Sequence, residues 1–234
     1  MITDAHCHLS GFGERELAGL EGILIAAVSE DAEDSRRTLE LARARRGTLG
    51  FVGIHPWRAR EAGEEDLAAI EGLAPEAAGL GEIGIDGRRP DLSVQLDVFR
   101  RQLRIAREYD KPVNLHCLDA WGDCLDLVLR HDVRSAVFHW YNGPSDLAER
   151  ISGYGFYVSI NVAARIQRKH AALAASVPLR SLLVESDGPY EYRGTRLVPT
   201  MIPGLLDTIS GLRGISRDTL ENAIAENFSD AFIG

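Results

Sequence analysis

The sequence predicts an α/β fold, a TIM (β/α)8 barrel, and three observations carry that expectation. Eight short apolar runs alternate with amphipathic stretches across 234 residues, an order and length that suit a closed parallel barrel better than an open sheet. Histidines and carboxylates recur at the C-terminal ends of those runs, where such barrels keep their chemistry. No Gly-x-Gly-x-x-Gly or Walker loop follows an early strand, so the main sign of a doubly wound nucleotide-binding sheet is missing.

The expected strands are 2–7, 22–28, 49–54, 78–85, 112–117, 135–140, 155–160 and 181–186. Amphipathic helices are clearest at 31–46, 93–109, 121–131 and 145–153, with further helical readings at 163–175, 200–211 and 216–232. No linker, charge block or repeat marks a boundary, so residues 1–234 read as one barrel domain. A hydrophobic content of 45% supports a large core. The net charge of −9 argues against a broad electrostatic grip on nucleic acid or membrane. Cys7, Cys117 and Cys124 form no even framework and no zinc-finger spacing, as expected of reduced thiols in the cytoplasm. With neither a secretory signal nor an apolar stretch near ~18 residues, no membrane association is expected.

Strand one ends Asp4-Ala5-His6-Cys7-His8. Alternation puts Asp4, His6 and His8 on one face, where two histidines two apart can reach one metal, and turns Cys7 toward the core. Strand two is aliphatic and structural. His55 closes strand three before Pro56, either to contact substrate phosphate or to stabilise the turn. Strand four is a small-and-apolar run, Gly81-Glu82-Ile83-Gly84-Ile85-Asp86, typical of a strand buried on both faces. It can hold Glu82 only if that charge is paired or bound to metal. Arg88 lies in the following basic turn. Strand five brings Asn114 and His116 to one face, strand six carries His139 among apolar and aromatic residues, and strand eight ends in Asp187. Arg165, after strand seven, is a loose candidate for phosphate contact, whereas His131 and His170 read as solvated helix residues. His6, His8, Glu82, His116, His139 and Asp187 thus form a metal-competent set drawn from five strand ends.

With those residues in place, the sequence resembles the TatD family of metal-dependent hydrolases almost end to end. The resemblance runs through Asp4-Ala5-His6-Cys7-His8-Leu9, Gly53-Ile54-His55-Pro56, Gly81-Glu82-Ile83-Gly84-Ile85-Asp86, Pro112-Val113-Asn114-Leu115-His116, Phe138-His139 and Glu185-Ser186-Asp187-Gly188-Pro189-Tyr190. The fourth-strand and eighth-strand segments are its most specific parts. The resemblance implies two divalent metal ions (Zn, Mn or Mg), one held by His6, His8 and Asp187, the other by His116 and His139, with Glu82 bridging. It further implies a deoxyribonuclease that trims 3′ ends of single strands. Glu82 and Asp187 are then the catalytic pair, with Asp187 as general base, and His55, Arg88 and Arg165 are the substrate contacts. Trp57, Trp140 and Tyr190 are available for base stacking. Asp86-Gly87 and Trp140-Tyr141-Asn142-Gly143 depart from the family's commoner Asp-Tyr and Cys-Phe-Ser-Gly, at positions that grip substrate. The expected partner is single-stranded DNA, and the expected state is a monomer. Two readings compete: a metal-dependent amidase or lactonase on the same barrel, and a catalytically idle barrel acting as a binding subunit.

Overall fold

The computed structural model describes residues 1–234 apart from the side chain of Arg168. Strands β1 (Thr3–Cys7), β2 (Leu24–Ala27), β3 (Thr48–Val52), β4 (Gly79–Gly84), β5 (Val113–His116), β6 (Ala136–Phe138), β7 (Tyr157–Asn161) and β8 (Leu182–Glu185) lie side by side in sequence order. Each neighbouring pair from β1 to β8 is parallel. The connections carry α1 (Glu14–Ala18), α2 (Ala32–Ala44), α3 (Glu64–Leu73), α4 (Leu92–Glu108), α5 (Trp121–Arg130), α6 (Ser145–Gly153) and α7 (Arg168–Ser176). After β8 come a small antiparallel hairpin, β9 (Glu191–Tyr192) and β10 (Thr195–Arg196), then α8 (Ile202–Arg213) and α9 (Arg217–Phe232).

The ring is a nearly closed (β/α)8 barrel, and its seam lies between β8 and β1. The Asp187 N–H donates to the His6 carbonyl at 2.9 Å, and the His8 N–H donates to the Gly188 carbonyl at 2.8 Å. The buried Asp4 carboxylate reinforces the seam by accepting from the Ser186 N–H at 3.0 Å and the Ser186 hydroxyl at 2.6 Å. Burial, only partly opposed by those bonds, pushes Asp4 up to about 7.

Every residue of β1 and β4 is buried, the pattern of parallel strands covered on both faces. At Gly84 (φ +143°) a Cβ would stand 2.0 Å from the His116 carbonyl oxygen, so only glycine lets β4 lie this close to β5. The buried face of α4 runs Gln95, Val98, Phe99, Gln102, Leu103, Ala106, which is helical spacing. Its two glutamines serve the strand ends. Gln102 accepts from the Ile54 N–H at 2.7 Å and donates to the Ile54 carbonyl at 3.0 Å, while Gln95 accepts from the Asp86 N–H at 2.8 Å. At the other end of the barrel, Phe228 and Phe232 of α9 pack with Phe51, Val137 and Leu183, leaving the C-terminal mouth as the polar end.

The eight expected strands coincide with the observed ones to within a few residues. The helices α1 and α3 and the hairpin were not anticipated. The expected helix over 163–175 is a short 3-10 turn, Val162–Arg165, followed by α7. The break arises because the Asn161 side chain accepts from the Ala163 N–H at 2.8 Å and caps the short turn separately.

Candidate metal centre

Glu82 is the centre of the mouth. It is 2% exposed, and its two oxygens face different sets of imidazoles. Oε1 lies 2.7 Å from His116 Nδ1, 2.9 Å from His139 Nε2 and 3.2 Å from His55 Nε2. Oε2 lies 3.2 Å from His8 Nε2 and 3.3 Å from His6 Nε2. Those last two nitrogens are also 3.5 and 3.4 Å from Asp187 Oδ1. One carboxylate therefore joins two clusters. The barrel makes this possible because β1, β4, β5 and β6 present their last inward residues at one level, and the β8–β1 seam brings Asp187 beside His6 and His8.

A second ring of groups holds these side chains. Asn114 accepts from His6 Nδ1 at 2.8 Å and donates to the Ala5 carbonyl at 2.7 Å. His139 stacks on His6 with ring centroids 3.8 Å apart, and its Nδ1 is 3.3 Å from Glu185 Oε1. Glu185, fully buried, also accepts from the Ser159 hydroxyl and the Asn161 amide. Asp86 accepts from Trp57 Nε1–H at 2.6 Å and lies 3.6 Å from His116 Nε2. Such outer carboxylates and amides fix the tautomer and aim of metal-ligating histidines.

The charges are mutually dependent. Burial alone would lower His8 and His116. The carboxylates of Asp187 and Glu82 nevertheless push His8 up to about 10, and those of Asp86 and Glu82 push His116 up to about 9. Burial would likewise raise Glu82 and Asp187, but the surrounding imidazoles hold both well below the usual carboxylate range. His55 behaves oppositely. Burial pushes it down to about 4, so its ring is neutral. Its Nδ1 accepts from the Trp57 N–H at 3.1 Å, which leaves the ring proton on Nε2, facing Glu82.

The donor set fits divalent cations. Three groups bring ligand atoms within 4.8 Å of one another: His6, His8 and Asp187; His6, His139 and Glu185; and His55, Glu82 and His116. Buried His8 Nδ1 and His116 Nε2 have no hydrogen-bond partner, an expensive state unless something else coordinates or protonates the rings. Imidazole and carboxylate together suit Zn2+ or Mn2+. The centre opens into a cavity of about 810 Å3 lined by His8, His55, Glu82, His116, His139 and Asp187.

Comparison with known proteins identifies the family. A profile of the family described as TatD related DNase matches residues 3–233. The chain belongs to that family. It is a TatD-family metal-dependent hydrolase, and its relatives span its full architecture. The uncharacterized metal-dependent hydrolase YcfH of Escherichia coli K12 is 29% identical over 99% of this chain and 95% of its own length. A protein of Cronobacter sakazakii named 3′-5′ ssDNA/RNA exonuclease TatD is 29% identical over 92% of this chain and 88% of its own. The crystal structure of the TatD homologue YjjV of E. coli K12 superposes with a TM-score of 0.90 at 25% identity, covering 100% of this chain and 98% of that one.

Against this TatD-family frame, the mouth brings together all six residues expected to bind metal, with His55 beside Glu82. Arg88 lines the cavity rim, paired to Asp119 at 2.6 Å. Arg165 does not join them. It is exposed at the end of the short turn after β7, and its guanidinium packs over Gly204 of α8. His170 reverses the expectation of a solvated residue. It is 6% exposed, lines the cavity and accepts from Trp140 Nε1–H at 3.4 Å. The signal was present, because 170, 173, 174 and 177 are the buried positions of one helical face. His131, by contrast, is half-buried at the end of α5, as a helix-end residue should be. The hairpin supplies Tyr192, whose ring is 5.3 Å from that of Trp140, with Tyr190 at 5.9 Å. Trp57, on the opposite wall, is 43% exposed and lies under Arg89 at 4.9 Å. Among the described residues, no helix is long and apolar enough to cross a membrane.

Proposed function

We propose that this TatD-family hydrolase is a nuclease that cleaves phosphodiester bonds in DNA, trimming the 3′ ends of single strands with two divalent metal ions. The observation that carries the reading is the division of Glu82, one oxygen toward His6 and His8, the other toward His116 and His139. His6, His8 and Asp187 would hold one ion, His116 and His139 the other, and Glu82 would bridge them. Bound there, divalent cations supply Lewis acidity toward a phosphoryl oxygen and lower the pKa of water to near neutrality. The name of the Cronobacter relative supports the substrate class.

The chain's own residues divide the remaining tasks. Asp187, kept ionised by His6 and His8, has a second oxygen with no hydrogen-bond partner among the described residues, and that oxygen accepts the proton of the attacking water. His55, neutral with its proton on Nε2, donates to Glu82 or to a phosphate oxygen. Arg88 stands at the rim with its charge shared by Asp119, and can reach a phosphate only by leaving that pair. Trp57 and Tyr190, both close to half exposed, offer faces for unstacked bases. Buried thiols at Cys7, Cys117 and Cys124 suit a reducing cytoplasm, where the chain acts as a monomer.

The test is cleavage of a 3′-labelled single-stranded DNA oligonucleotide with Mg2+, Mn2+ or Zn2+, against chelator and a Glu82→Ala control. Metal-dependent shortening that disappears in the variant is expected. Failure of folded wild-type protein to cut with any of the three metals refutes the reading.

A further inference from the structure

The metal cavity continues into a second groove of about 610 Å3, and the two share Trp121 and Asn142 as lining residues. The groove is a slot between the β6–α6 connection and α7. On one side are Gly143, Pro144 and Ser145; on the other are Lys169, Leu173 and Ser176. The β6–α6 side of the slot is closely braced. Tyr141 donates its hydroxyl proton to the Pro144 carbonyl at 2.6 Å, and a Cβ on Gly143 would meet the Trp121 ring at 2.8 Å. The α7 helix divides the two spaces, giving His170 to the metal cavity and Lys169 to the groove.

Charge distinguishes the ways out of the metal cavity. Toward the start of α2 its wall carries Glu30, Asp31 and Asp34, and the nearby Arg58 is already occupied by Glu30 at 3.7 Å and Asp31 at 4.0 Å. The rim cation Arg88 is paired to Asp119. In the groove, Lys169 is the only charge among the described lining residues, and it makes no ion pair among the described residues. A polyanion threaded to the metal centre is repelled along the acidic wall and attracted through the slot.

We propose that this groove is the subsite for the body of the nucleic-acid strand, with Lys169 against a backbone phosphate and the Trp121 face against a base. The proposal rests on the nuclease reading above. It reconciles that reading with the acidic net charge, because a strand held at its end and along one slot needs few neutralising contacts. It also makes the enzyme selective for chain length, since a dinucleotide reaches the metal centre without filling the slot.

The test compares hydrolysis of a thymidine dinucleotide and a thymidine octamer, both single-stranded, by metal-loaded wild-type protein and by Lys169→Glu. Ser176→Glu serves as a second variant at the far end of the slot. Arg180→Glu makes the same charge reversal at an exposed residue just before β8, at the opposite end of the barrel. Thermal unfolding checks that each variant is folded. Both groove variants should raise KM for the octamer more than for the dinucleotide, while Arg180→Glu leaves both substrates unchanged. For the octamer, losing one phosphate contact should lower the slope of log KM against log salt by about 0.7, shrinking the rise in KM between 50 and 200 mM salt about 2.6-fold. Equal effects of Lys169→Glu on both substrates, or an equal effect of Arg180→Glu on the octamer, overturn the groove and leave the nuclease reading standing. Wild-type protein that cuts neither substrate overturns both.

Discussion

Replacing Glu185 tests how far the candidate metal centre depends on a residue that does not line the cavity. Glu185 is fully buried and accepts from three donors: Ser159 Oγ–H, Asn161 Nδ2–H and, across 3.3 Å, His139 Nδ1. In Glu185→Gln the amide keeps the shape. Its oxygen can stay toward Asn161 and His139 while its NH2 turns to the Ser159 hydroxyl, which can accept. His139 then keeps its orientation but loses a charged acceptor, and a neutral hydrogen bond is roughly half as strong. Loss of such outer support typically costs about 10–100-fold in metal affinity. The glutamine should therefore fall near the lower limit, about tenfold or ~1.4 kcal/mol. Glu185→Ala strands all three donors in a dry interior at about 1–3 kcal/mol each, so its affinity loss should reach the upper limit, with a clear fall in metal-free stability. Calorimetric titration of metal-stripped protein with Mn2+ or Zn2+ gives the affinities, and urea unfolding gives the stabilities. A glutamine variant within twofold of wild-type affinity, or an alanine variant that binds better than the glutamine, would refute the argument.

Other perturbations follow from the same geometry. Gly84→Ala should leave little folded protein, because its Cβ would meet the His116 carbonyl oxygen at 2.0 Å; a thermal melt like wild type would show that β4 and β5 can separate cheaply. Chelation should lower the melting temperature, since saturation at a hundredfold above Kd adds about 2.7 kcal/mol to the folded state; paired melts with and without EDTA measure it. Arg165→Ala should change KM by less than about twofold, because one exposed polar side chain packed on α8 contributes little to a cavity it does not line; steady-state kinetics would reveal a larger role.

Much of the barrel was legible because buried parallel strands leave unbroken apolar runs, and their ends are marked by residues too costly to bury without a purpose. His6, His8, His116 and His139 announced themselves in that way. What spacing could not show was the rotamer of Glu82, which decides that its oxygens serve two clusters rather than one. His170 was misplaced because charge in the surrounding segment outweighed helical phase, although Leu173, Ala174 and Val177 fix its face. Gln95 and Gln102 were missed for a related reason. Polar residues on an amphipathic helix are normally counted as exposed, and only the contacts with Asp86 and Ile54 reveal their use. The hairpin was too short for a pattern of its own. Its turn, Arg193-Gly194, has positive φ at both residues (51° and 77°) but lacks the Asn-Gly or Asp-Gly pair that usually announces one.

The barrel's seam and the candidate metal centre coincide, and that has a consequence for how the protein is made. His6 and His8 are synthesised well before Asp187, which completes their cluster and donates its N–H to His6. At about 5–20 residues per second, the first histidines wait roughly ten seconds or longer for their partner. During that interval His6 and His8 lack the Asp187 carboxylate that completes their cluster. The cluster of His6, His8 and Asp187 is thus completed only with the ring, and a polypeptide truncated before β8 would lack both the seam and that cluster.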